Sequence, residues 1–185
     1  YKLFVNTGSS SEYGPKTKPM KESDICRPNT FYGVTKLGGT LYGNMIALTK
    51  NKSIVTLRVF SPFGPFDDGR RLVPQVINSA LRNKDLNLSH PKVARDYIYI
   101  EDLIDFYMEI IKQIYAKDIK GEIFNIGTGE QKTVGEVVKN ILKITNSKSK
   151  SLWNSFENVS YDTKKWEADM SKTFKTFRWR PKYTL

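Results

Sequence analysis

The sequence predicts an α/β fold built on a parallel sheet, and three observations carry that prediction. Strand-like and helix-like stretches alternate along the chain. The segment Ser53 to Phe60 holds Ile54, Val55, Leu57, Val59 and Phe60, a nearly continuous apolar run of the kind a strand shows when both its faces are covered. The apolar runs end in small or polar residues, at Ser9 and at Phe60-Ser61, and an open α/β sheet gathers its ligands at the carboxyl ends of its strands.

In order along the chain, Tyr1 to Thr7 reads as a strand that stops at Gly8, and Ser9, Ser10 and Ser11 form a polar loop before Tyr13-Gly14-Pro15. Asn29 or Thr30 can cap a helix running to about Lys50, with Tyr32, Leu37, Leu41 and Ile46 among its larger residues. After the Ser53 to Phe60 strand, Ser61-Pro62-Phe63-Gly64-Pro65 breaks regular structure, and a helical period resumes over Leu72 to Leu81. Tyr97 to Ile100 alternates as a strand, and Glu101-Asp102 suits the amino end of a helix reaching about Tyr115. Phe124 to Ile126 is a strand that meets Gly127-Thr128-Gly129, and Thr133 caps a helix through Ile144. The remainder is irregular apart from a short helix near Asp169 to Phe174, and no internal repeat is visible.

The 185 residues, 39% of them apolar, can bury one core and a small second one. Cys26 is the single cysteine and no His/Cys spacing suits a metal, so neither a disulfide nor a metal site is expected. No window approaches the roughly eighteen apolar residues of a membrane span, and a cytoplasmic location with no membrane partner is expected. The net charge of +11 suits an anionic partner, nucleic acid or a phosphorylated small molecule. The lysines are scattered singly through Lys16, Lys50, Lys84, Lys112, Lys139 and Lys172, as on solvated helix faces, and no nucleic-acid recognition motif accompanies them.

Tyr32 and Lys36 lie four apart on the predicted helix, so their side chains share one face. A tyrosine hydroxyl, with an unperturbed pKa of about 10, is a poor base near neutrality. A nearby ammonium stabilises the phenolate and makes such a group a usable general acid or base. Taken alone, Tyr-x-x-x-Lys also fits a solvated helix face.

The context decides. The chain resembles the extended short-chain dehydrogenase/reductases, whose sugar-nucleotide members are NAD-dependent epimerases and dehydratases. The resemblance rests on an ordered set: the serine-rich strand end with Tyr13-Gly14, Glu22 and Pro28, and Tyr32-Gly33-Val34-Thr35-Lys36. Leu57-Arg58-Val59-Phe60-Ser61-Pro62-Phe63-Gly64-Pro65, Arg95-Asp96-Tyr97-Ile98-Tyr99-Ile100-Glu101-Asp102 and Phe124-Asn125-Ile126-Gly127-Thr128-Gly129 follow. Asp169-Met170-Ser171-Lys172 and Trp179-Arg180-Pro181 close the series. It implies the carboxyl-terminal half of a Rossmann-like parallel sheet with a small interleaved α/β substrate-binding domain. The cofactor domain would comprise 1–64 and 93–118, and the domain for the nucleotide sugar 65–92 and 119–185.

By the same resemblance, Ser9 holds the substrate's reacting oxygen, Tyr32 donates or accepts the proton, and Lys36 binds the nicotinamide ribose and polarises Tyr32. Phe60 lines the nicotinamide pocket, although ordinary core packing explains it equally. Arg95 contacts the nucleotide diphosphate, for which a fork of donors is suited; a surface pair with Asp96 or Glu101 is the alternative. Ser10, Ser11, Ser61, Arg71 and Leu72 match substrate-pocket positions. The implied cofactor is NAD or NADP, the implied ligand a nucleotide-diphosphate sugar, and the implied assembly a homodimer paired partly through the Tyr32 helix.

Two departures qualify the match. The glycine-rich turn that binds the cofactor pyrophosphate has no counterpart in this chain, since Gly127-Thr128-Gly129 lacks the third glycine and comes late. A longer natural protein is therefore expected, with weak cofactor binding and no activity by these residues alone, and with the apolar face of the Ser53 to Phe60 strand exposed. Secondly, sugar 4,6-dehydratases carry adjacent Asp and Glu after the hydroxyl residue, where this chain has Ser10 and Ser11, with Glu12 at a place usually apolar. That favours 4-keto reduction or 4-epimerisation over dehydration, and the local string looks most like CDP-abequose and CDP-paratose synthases. A non-catalytic NAD(P) sensor and a basic nucleic-acid-binding module are the alternatives from other classes. The intact Ser9, Tyr32 and Lys36 set argues against the sensor.

Overall fold

The computed structural model describes residues 2–113, 118–155 and 163–185. Three parallel strands form the central sheet in the order β1 (Phe4–Ser9), β2 (Ile54–Val59) and β6 (Ile123–Ile126). All six residues of β2 are buried, as its unbroken apolar run requires. Exposure of this strand, expected from the sequence, is not found, because β1 and β6 flank it and helices cover it. Exposed apolar surface lies instead on α1 (Phe31–Thr49), at Phe31, Val34, Leu41, Tyr42, Met45 and Leu48.

The inner face of α1 is built from Gly33, Thr40, Gly43 and Ala47, small residues that let the helix lie close on β1 and β2. A Cβ at Gly43 would come within 3.3 Å of Ile54. Thr30 is the cap: its hydroxyl accepts from the Gly33 N–H at 3.0 Å, which satisfies an orphan donor of the first turn. On β2, Val55, Leu57 and Val59 belong to the main core with Phe124, Phe106, Ile110, Phe177 and Trp179. The rings of Phe106 and Phe124 both meet Phe177 edge-on at 5.1 Å.

A second sheet has the order β3 (Ser61–Phe63), β5 (Ala94–Tyr99) and β7 (Gln131–Thr133), with β5 and β7 antiparallel. The strand expected over Tyr97 to Ile100 thus begins earlier, at Ala94, and Ile100 already opens α3 (Ile100–Gln113). Ala94, Asp96 and Ile98 are the buried phase of that strand, and the aspartate among them, beside Arg95, masks its alternation. The expected helix end at Tyr115 lies outside the described residues, as does Tyr1.

Two further helices match their expected spans. They are α2 (Leu72–Leu81) and α4 (Val134–Ile144), the latter closed by a reciprocal capping box between Thr133 and Glu136. With the two-residue strands β4 (Leu86–Asn87) and β8 (Ser151–Leu152) they enclose a smaller core of Val76, Leu86, Leu88, Val93, Val134 and Val138. The closing helix α5 (Ser171–Thr176) packs on β6, a strand of the central sheet contributed by the 119–185 segment.

Candidate active site

At the end of β1 the chain turns sharply into a 3₁₀ turn, Ser10–Glu12. The Ser9 hydroxyl accepts from the Ser11 N–H at 3.1 Å, and the Glu12 carboxylate accepts from the Ser9 N–H at 2.8 Å. Glu12 is fully buried, and its second oxygen takes the Arg58 Nε at 2.8 Å. The Arg58 guanidinium lies 4.5 Å over the Tyr13 ring, whose hydroxyl donates to Asn125 Oδ1 at 2.6 Å. Burial pushes the Tyr13 hydroxyl far above the ordinary tyrosine range, so it stays a neutral donor to Asn125. The serine loop therefore stands on a buried network that reaches β2 and β6.

Tyr32 opens the first turn of α1 and is more than half exposed, while Lys36 is half-buried one turn later. The Lys36 ammonium donates to the Thr7 carbonyl at 2.9 Å and lies 5.7 Å from the centre of the Tyr32 ring. Thr7 in turn shares a 2.6 Å hydrogen bond with the Tyr107 hydroxyl of α3. The helix is thus tied to the carboxyl end of β1, where Ser9 sits.

A cavity of about 610 Å³ opens between these elements. Ser9, Ser10, Ser11, Tyr32, Phe60, Ser61, Arg71 and Arg95 all line it. Leu72 does not; it lines an adjoining cavity of about 230 Å³ that shares Ser61, Arg71 and Arg95 with the first. Lys36 lies behind the wall, engaged with Thr7. Phe60 is buried in the main core and also lines the cavity.

Arg71 pairs with Asp67 at 3.1 Å. Arg95 donates to the Ala94 carbonyl at 2.7 Å and lies over the Trp166 ring at 5.2 Å. Asp96, the neighbour considered as its partner, is fully buried and accepts from the amides of Thr128, Gly129 and Ala168 and from the Thr128 hydroxyl. Burial raises the Asp96 pKa, and these four donors offset part of that rise. The amides of Thr128 and Gly129 in the Gly127-Thr128-Gly129 turn are thus spent on this carboxylate. In the adjoining cavity, burial pushes the Tyr97 hydroxyl up to about 12.

Two site residues escape sequence reasoning. Trp166 is buried, lines the cavity, and donates its indole N–H to Ser10 Oγ at 2.9 Å. Glu12 carries the serine loop through its bond to the Ser9 amide. The pairing of Glu12 with Arg58 has a faint signal, since Arg58 is a charged residue inside an apolar run, whereas nothing local marks Trp166. Among the described residues no group of three or more His, Cys, Asp or Glu could hold a metal ion, and no helix is long and apolar enough to cross a membrane.

Residues 1–127 match the model of the NAD dependent epimerase/dehydratase family. The dTDP-4-dehydro-6-deoxyglucose reductase of Escherichia coli is 29% identical over 143 residues, covering 75% of this chain and 44% of that protein. An uncharacterized UDP-glucose epimerase of Bacillus subtilis is 29% identical over 183 residues, covering 98% of this chain and 56% of its own. Among solved structures, the UDP-glucuronic acid 4-epimerase of Bacillus cereus, in complex with UDP-glucuronic acid and NAD, superposes with a TM-score of 0.91 at 27% identity, over 98% of this chain and 57% of that one. The chain thus spans about half the length of the relatives it matches.

Proposed function

The chain belongs to the NAD dependent epimerase/dehydratase family, and from that premise we propose that it carries the catalytic half of an NAD(P)-dependent nucleotide-sugar 4-keto reductase or 4-epimerase. The observation that carries this reading is the cavity itself. Ser9 and Tyr32 share its wall, Lys36 stands one helical turn behind Tyr32, and no carboxylate lines it among the described residues. Dehydration of a sugar needs an acid and a base beyond the tyrosine. Here Ser10 and Ser11 occupy the wall, while Glu12 is buried in its bond with Arg58.

In this reading Ser9, whose oxygen already accepts from the Ser11 amide, keeps its hydroxyl hydrogen for the reacting oxygen of the sugar. Tyr32 passes the proton to or from that oxygen. Lys36 uses one donor on Thr7 and has two more for the ribose of a nicotinamide cofactor, with Phe60 as the apolar wall beside it. Such a cofactor, when bound, supplies or takes up the hydride. Arg71 and Arg95 face the diphosphate of the substrate.

The smaller core, at the adjoining cavity, is the part we assign to the nucleotide. A cytoplasmic location belongs to the same reading. So does pairing with a second copy, supported by the exposed apolar face of α1.

The test is Tyr32→Phe in the complete enzyme, assayed for hydride transfer with nucleotide-linked 4-keto sugars. Turnover is expected to fall by a factor of about 100 or more while cofactor affinity holds. Undiminished turnover would remove Tyr32 from the chemistry and this reading with it.

A further inference from the structure

The hydrogen bond between Trp166 and Ser10 fixes more than a packing contact. An indole N–H can only donate, so it occupies a lone pair of Ser10 Oγ and orients that hydroxyl. Ser10 is only 4% exposed and lines the main cavity, yet its own hydrogen finds no protein acceptor among the described residues. A buried hydroxyl in a cavity wall with an unspent donor calls for an acceptor from the ligand. The opposite face of the problem is Arg95, whose guanidinium rests on the ring of the same tryptophan.

We propose that Trp166 is a specificity-determining residue of the substrate site. It sets Ser10 as a hydrogen-bond donor toward an oxygen of the sugar, next to the one held by Ser9, and it seats Arg95 for the diphosphate. This deepens the reading of the site as one for a nucleotide-linked sugar and rests on it. The sugar oxygen opposite Ser10 acts as an acceptor, as a carbonyl oxygen does, and a sugar bearing an ammonium at that place is rejected.

The test separates the two parts of the ligand. Binding of UDP-, dTDP- and CDP-glucose, and of the matching nucleoside diphosphates, is measured by calorimetry on the unsubstituted complete enzyme, and the tightest pair is carried forward to Trp166→Phe, Ser10→Ala and the double variant. Trp166→Phe keeps an aromatic face beneath Arg95 and deletes only the N–H. Each single variant is expected to weaken the sugar nucleotide roughly three- to tenfold. The double variant should be no weaker than the weaker single one, because both remove the same oriented donor. The nucleoside diphosphate should bind all four proteins alike.

A parallel loss of nucleoside diphosphate affinity would reduce Trp166 to a structural residue and overturn the inference. Unchanged sugar-nucleotide binding in Trp166→Phe overturns it too, while leaving the proposed function standing. Failure of the unsubstituted complete enzyme to bind any of the sugar nucleotides would sink both.

Discussion

Glu12 shows how much rests on one side chain. It is fully buried, its partner Arg58 is only 4% exposed in its side chain, and together they hold the Ser9 amide in place. Replacing Glu12 by leucine leaves the guanidinium buried with its main partner gone, and a loss of about 3–5 kcal/mol in chemical denaturation is expected. Restoration by Arg58→Met in the same chain would identify the stranded charge as the cause; an unaltered midpoint in Glu12→Leu would show that the pair contributes nothing. The placement of Ser9 at a strand end and of Tyr32 and Lys36 on one helix face was legible in the sequence, because strand and helix fix those directions locally, whereas their roles came from the ordered motifs around them. Trp166 was not, because its contact with Ser10 joins residues 156 apart and no periodic element surrounds it.

Helices α1, α2 and α4, long enough to show a period, were legible to within a residue or two. Thr30 and Thr133 announced α1 and α4, and the stretch from Leu72 to Leu81 marked α2. Strands of two or three residues, β3, β4, β7 and β8, are too short to display alternation, and their pairing is imposed by partners elsewhere in the chain. The cap of α4 carries a prediction of its own. The Thr133 hydroxyl and amide both donate to Glu136, each at 2.7 Å, and hold its carboxyl below the ordinary glutamate value of 4.5. A lowered folded-state pKa means the contribution to stability is present above that value and is lost as pH falls through the folded one. In a carboxyl NMR titration Glu136 should therefore have a midpoint below 4.5, moving back up in Thr133→Ala. A midpoint at or above 4.5 in the unsubstituted chain contradicts the cap.

At the scale of the molecule, the buried parallel sheet was foreseeable from the Ser53 to Phe60 run, but the site of apolar exposure was not. Which face of α1 lacks cover depends on the partners of the helix, and those are not written in its own residues. If that face pairs with a second copy as proposed, Leu41→Glu should convert a dimer into a monomer by light scattering. A monomeric unsubstituted protein would withdraw the homodimer. The bond from Trp166 to Ser10 has one further consequence, which concerns time. Synthesis runs from the amino end at about 5–20 residues per second, so the serine loop emerges roughly 8–30 s before the tryptophan that orients it. Until then the nascent chain holds a wall of hydroxyls without its indole floor, and the site acquires its hydrogen-bonding polarity only as translation nears the last residues of this segment.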